Sequence, residues 1–233
     1  MPTTAARRSR AALRSKPWRA KAMLRAAVLS LLLALCGYAA ASWLTHGFQV
    51  WTDEGARRLE VALQPVDAPH VTVDGPGVAA PDLPALLAQG GGVTIADFIY
   101  TRCQTVCLSL GSTFQQLQAA LRADAEAGHP GNVRLLSISF DGAHDHPAAL
   151  RAYAQGLRAD PALWRFVRVH DAAQEQALLR RLGVVVVPDG RGDYEHNAAL
   201  LVFDARGRMV RVFDVAEQQL ALDYARHLAR STP

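Results

Sequence analysis

An α/β fold, with a mainly parallel sheet between helices, is what this sequence predicts. Three observations carry the prediction. From residue 93 onward, short apolar runs alternate with helical patterns. Two cysteines, Cys103 and Cys107, stand where the first apolar run hands over to a helix. Near the C-terminus, two apolar runs flank a single glycine turn, which is the pattern of a hairpin.

The elements follow in order. Val93–Tyr100 (VTIADFIY) reads as a buried strand, and 108–125 as a helix. Val133–Phe140 is a second apolar strand. A helix opens at His146 and Pro147 and runs to about Leu157, with proline near its first position. Trp164–His170 alternates like a strand, and Ala172–Leu182 is a helix ending at Gly183. Ala198–Asp204 and Arg208–Phe213 form the hairpin, with Gly207 in its turn, and 216–230 is the closing helix. The order β-α-β-α-β-α-β-β-α places an antiparallel edge on a parallel sheet. With a dithiol between the first strand and its helix, this suggests a thioredoxin-like fold. Pro188, after four valines, reads as a loop proline.

Ahead of this core the chain divides further. Residues 1–25 hold eight basic residues and no acid. Ala26–Trp43 is an uncharged apolar stretch of 18 residues, close to the length that crosses a hydrocarbon core. The expected organisation is a basic cytoplasmic tail (1–25), a transmembrane signal anchor (26–45), a connector and domain entry (46–92) broken by prolines, and the core (93–233). Positive residues before the apolar stretch predict an N-inside orientation in the cytoplasmic membrane, with the domain in the periplasm. A cleaved signal peptide is the competing reading, because Ala39-Ala40-Ala41 offers small residues to a peptidase. A lipoprotein signal at Cys36 is disfavoured by the large Leu35 before it.

The formal charge of +4 belongs to the tail. Without it, 17 basic residues face 21 acidic ones, so the body offers nucleic acid no electrostatic footing. Two thiols outside the membrane do not make a disulfide scaffold. A bridge between them would close a five-residue loop and contribute only about 2 kcal/mol. Redox chemistry or metal binding is the better use of a dithiol at a helix N-terminus, where thiolate is favoured. A spacing of four puts both sulfurs on one side of a helical turn. Two thiolates under-coordinate most metals, and His196, just ahead of the apolar strand at 198–204, is the candidate third ligand. Two soft thiolates and an imidazole suit copper.

These residues resemble the Sco/SenC family of copper-handling, thioredoxin-like proteins. Phe98–Cys107 is similar to the family's strand and Cys-x3-Cys turn. Leu136–Asp141, with Asp145 and Pro147 beyond it, is similar to its Ser-Ile-Asp-Pro strand end. Glu195-His196-Asn197 and Asp204–Gly207 are similar to its Asp-His-Thr/Ser strand and Asp-x-x-Gly turn. The resemblance implies that Cys103, Cys107 and His196 hold copper, as Cu(I) or Cu(II), with Asp141 as a supporting carboxylate. It implies a metallochaperone that helps assemble the dicopper site of a cytochrome c oxidase subunit, the copper-receiving partner. Thiol–disulfide reductase activity of the redox dithiol Cys103/Cys107 is the companion expectation. The sequence departs from the family at Gln104 and Leu108, where proline follows each cysteine, and at Gly142, where proline follows Asp141. Glu195 and Asn197 also differ.

Three other readings compete. A membrane-tethered thiol–disulfide oxidoreductase without a metal would leave His196 dispensable. A thiol peroxidase lacks support, since Tyr100 stands where a threonine would precede Cys103 by three. His144-Asp145-His146 could be an accessory metal cluster, but reads better as a solvated loop before a helix. Arg102 reads as solvated.

Overall fold

A computed structural model describes residues 17–45, 47–48, 50–102, 106–128, 131–190 and 193–231. The chain divides into two compact units, residues 1–56 and 57–233. In the first, α1 (Pro17–Leu44) includes a stretch, Lys21–Leu44, long and apolar enough to cross a membrane, with a mean hydropathy of 1.9. Its leucines and valines are exposed. The helix α2 (Asp53–Leu63) bridges the division in sequence.

The second unit is built on a seven-stranded mixed sheet. Two short strands, β1 (Val66–Asp67) and β2 (Val73–Asp74), come first. Then follow α3 (Leu83–Ala88), β3 (Val93–Ile99), α4 (Val106–Glu126), β4 (Val133–Ser139), α5 (Pro147–Gly156), β5 (Trp164–Val169) and α6 (Ala172–Leu182). A small separate hairpin, β6 (Val186–Pro188) and β7 (Tyr194–His196), precedes β8 (Leu200–Phe203), β9 (Arg208–Phe213) and α7 (Gln218–Ser231). The sheet order is β1-β9-β8-β3-β4-β5-β2. The β3–β4 and β4–β5 pairs are parallel and the rest antiparallel. This is the thioredoxin-like arrangement the alternation predicts.

Why these residues form these elements is visible at their ends. Every residue of β3 and β8 is buried, as befits central strands covered on both faces. The α6 helix opens on Asp171, whose carboxylate accepts the Gln174 N–H at 2.8 Å. It closes on Gly183 at φ 67°, a left-handed position that favours glycine. Ahead of α7, Asp214 and Glu217 form a capping box. Arg226 on α7 holds Asp124 on α4 through two hydrogen bonds of 2.8 and 2.9 Å, tying those helices together.

Two features differ from the sequence reading. The stretch 57–92 supplies both edge strands and buries Val61, Val71, Val73, Leu83, Leu86 and Leu87 in the core. Its strands are only two residues long, too short to leave an alternation pattern. Pro188 belongs to strand β6, paired with Tyr194, rather than to a loop. An edge strand tolerates proline at a position that points away from the ladder, where the missing N–H costs no ladder hydrogen bond.

Candidate metal centre

The strand β3 delivers the chain to the dithiol turn. Cys103 lies outside the described residues, and of Cys107 the structure gives only its place in the first turn of α4. What surrounds that turn is described in detail.

The approach to it is latched. The Thr101 N–H donates to Asp145 Oδ2 at 2.9 Å, and the Thr101 hydroxyl donates to Asp145 Oδ1. The Ser139 hydroxyl, at the end of β4, donates to the same carboxylate at 2.6 Å. Asp145 is fully buried and accepts all three. Charge-assisted bonds of this kind are the stronger class. They fix the backbone two residues before Cys103.

Arg102 is not a free solvated side chain. Its Nη2 donates to Asp141 Oδ2 at 2.7 Å, and that carboxylate raises the guanidinium pKa. The other Asp141 oxygen meets His144 Nδ1 at 2.7 Å. Asp141 is buried beside the turn with both oxygens engaged, which is the surrounding of a supporting carboxylate. His146 caps α5, its Nδ1 accepting the Ala149 N–H at 3.2 Å. With Asp145 buried and His146 used as a cap, the 144–146 stretch is structural. No group of three or more metal-ligating side chains is assembled among the described residues.

His196 ends β7, paired with Val186. Its hairpin lies beside the chain leading to Cys103: the rings of Tyr100 and Tyr194 are 5.3 Å apart, edge to face. Phe140 joins them, 5.6 Å from Tyr194 and 5.0 Å from the His196 ring. Both imidazole nitrogens are buried, and neither has a hydrogen-bond partner among the described residues. Burial lowers its pKa, so the ring is held neutral with a lone pair available. A buried neutral imidazole lacking partners is costly unless something binds it. A soft-metal ligand set asks for that state, so His196 fits the copper expectation.

Two departures from the family pattern have structural reasons. Gly142, in place of proline, donates its N–H to Glu175 Oε2 at 2.9 Å, a bond proline cannot make. A Cβ there would also run into the Val169 carbonyl. Asn197, in place of threonine or serine, accepts the Val185 N–H at 2.7 Å and donates to the Gly183 carbonyl at 3.0 Å. One side chain thereby anchors the end of β7 to the chain leaving α6.

Sequence reasoning missed Glu175 and Asp97. Burial raises the Glu175 pKa to about 7; the Gly142 N–H works against that, and the charges of Asp141 and Asp145 add to it. Glu175 lines a cleft of about 630 Å³ together with Phe140, Asp141, His144, Val185 and Tyr194. Asp97 is fully buried in the middle of β3, and neither oxygen meets hydrogen-bond geometry. Ser137, opposite it on β4, instead accepts from Trp164 Nε1 at 2.9 Å. Burial raises the Asp97 pKa to about 7, with the neighbouring Ser137 hydroxyl offsetting only part. The signal was a lone acid inside an apolar run.

Comparison with known proteins agrees with this picture. The SCO1/SenC family model matches residues 88–230. The SCO1 protein homolog of Bacillus subtilis (strain 168) is 26% identical over 129 residues, 54% of this chain and 64% of that protein. The chain thus spans a little under two thirds of that relative. Among solved structures, BsSco, a Sco-family cytochrome c oxidase assembly protein in which a disulfide switch was identified, superposes with a TM-score of 0.58. It is 19% identical, and the match covers 72% of this chain and 96% of that one. Yeast Sco1 with copper bound gives 0.51 at 15% identity, covering 72% and 87%. At these identities the structural likeness establishes the fold, and the family match over more than half of the chain establishes the kinship. The chain belongs to the SCO1/SenC family.

Proposed function

We propose that this protein is a membrane-anchored copper metallochaperone whose cargo is held by Cys103, Cys107 and His196. In this reading α1 is an uncleaved single-pass anchor in the cytoplasmic membrane. The basic tail stays inside, and the domain works in the periplasm. The recipient is a cytochrome c oxidase subunit with a dicopper site. Family membership supports that assignment, as does the naming of BsSco among oxidase assembly proteins. The observation that carries the copper reading is His196, whose two buried ring nitrogens lack partners among the described residues beside the chain that leads to the dithiol.

The chemistry divides among the residues. The thiolates supply soft donors, and a helix N-terminus favours their ionised form. The imidazole supplies the third donor, oriented by Phe140. Asp145 holds Thr101 and Asp141 engages Arg102, the two residues before Cys103. Copper binding needs the reduced dithiol. When the pair reduces a partner's disulfide to two thiols, Cys103 and Cys107 become a disulfide themselves, which withdraws both sulfurs and releases the metal and so links delivery to thiol–disulfide exchange.

The test is anaerobic copper titration of the full-length protein in detergent, with spectroscopy of the Cu(II) form. One equivalent should bind and show thiolate charge-transfer bands with nitrogen coupling. The nitrogen coupling should vanish in His196→Ala, and the charge-transfer bands in Cys103→Ser. Unchanged spectra in His196→Ala would remove histidine from the ligand set, and failure of the reduced protein to bind one equivalent would leave the metal-free oxidoreductase as the better reading.

A further inference from the structure

A further unsatisfied group lies at the other end of the parallel strands, well away in sequence from the dithiol. Arg134 is the second residue of β4 and Arg165 the second of β5, both near the strands' N-terminal ends. Arg134 is opposite Thr94 on β3. The Arg134 Nε and Nη2 atoms are buried and have no hydrogen-bond partner among the described residues. Arg165 donates from Nη1 to Gln89 Oε1 at 2.6 Å, a neutral acceptor. No carboxylate pairs with either guanidinium among the described residues. Burial and the nearby charge of Arg165 both lower the Arg134 pKa, so the pair is under electrostatic stress.

The two arginines line a small recess of about 20 Å³, bordered by Leu86 and Leu87 of α3 and by leucines of β4 and partly open to solvent. Its volume admits one water-sized species. The side chains lining it are apolar or are N–H donors, apart from the Thr94 hydroxyl, which can donate or accept. A water there could accept from Arg134 but would bring no charge to offset the two guanidinium ions. A monatomic anion accepts every donor and also supplies the missing negative charge.

We infer that the recess between Arg134 and Arg165 is a halide site, occupied by chloride under physiological salt. The Arg134 Nε–H, Arg134 Nη2–H and Thr94 hydroxyl donate to the ion, with Arg165 contributing charge. The inference concerns the stability of the domain and is independent of what the dithiol binds.

The test uses the full-length protein in nonionic detergent, with chloride as the probe. Thermal unfolding is compared in sodium chloride and sodium gluconate at equal ionic strength. The expected result is a Tm higher by about 4 °C when chloride stands tenfold above its dissociation constant. Bromide should substitute. The ³⁵Cl resonance of the medium should broaden in the presence of wild-type protein, and bromide should reverse the broadening. Arg134→Met, which keeps the apolar bulk, should lose both effects. Thr94→Val, a milder change, should weaken them. Equal Tm values in chloride and gluconate, or ³⁵Cl broadening that survives in Arg134→Met, would overturn the proposal and leave the recess to water.

Discussion

Replacing Asp97 with asparagine should make the protein more stable at neutral and alkaline pH. The carboxyl is 1% exposed in the centre of β3, with no counter-charge among the described residues and only the neighbouring Ser137 hydroxyl offsetting part of its burial. Its pKa is raised from 3.8 to about 7 by burial. A raised acid pKa means that the folded state holds a proton the unfolded state has lost. Folding stability therefore falls as pH rises from about 4 to about 7, then levels off. A shift of roughly three units corresponds to about 4 kcal/mol in total, at about 1.4 kcal/mol per unit. Asp97→Asn has nothing to ionise and lacks this slope. Near pH 4 the two proteins should be close in stability. Above pH 7 the variant should lead by up to about 4 kcal/mol. Urea unfolding of full-length protein in detergent, followed by fluorescence and repeated across this range, measures the difference. A wild-type-to-variant gap that stays constant from about pH 4 to about pH 8 would refute the reasoning. Asp97 would then have a counter-charge or proton partner in the fold.

Asp145→Ala should destabilise by about 3 kcal/mol, because it strands the Thr101 and Ser139 donors in the interior; chemical denaturation measures it, and Ser139→Ala should cost less. Gly142→Ala should also destabilise, by about 1–3 kcal/mol, since the new methyl meets the Val169 carbonyl; a shift in unfolding midpoint at unchanged m-value is the readout. Asn197→Ala should cost about 1–2 kcal/mol by the same assay and speed amide exchange at Val185, whose N–H loses its acceptor. A protected Val185 amide in that variant would show that the side chain is not the anchor.

The alternation of apolar runs with helical stretches was legible because a buried parallel strand needs a continuous apolar run and its crossover helix a different period. Helix α6 and strand β9 have the ends the sequence predicts, since Asp171, Gly183 and Gly207 act through local backbone chemistry. Edge strands β1 and β2 were not legible: two residues carry no periodicity, and only β9 and β5 beside them make them strands. Arg102 shows the same limit. Nothing near it in sequence says that Asp141, 39 residues on, will take its charge.

The sequence by itself determined the dithiol, its place between a strand and a helix, the apolar stretch near the N-terminus and the candidate third ligand, because each is a matter of residue type and local spacing. Only the tertiary structure decided what those groups experience. It set the His196 hairpin against Tyr100 and Phe140 and stripped the ring of partners. It buried Asp145 under Thr101 and placed an unpaired carboxyl at the heart of β3. Burial and hydrogen-bond pairing are properties of neighbours brought together across the sheet, and the chain's local pattern does not encode them.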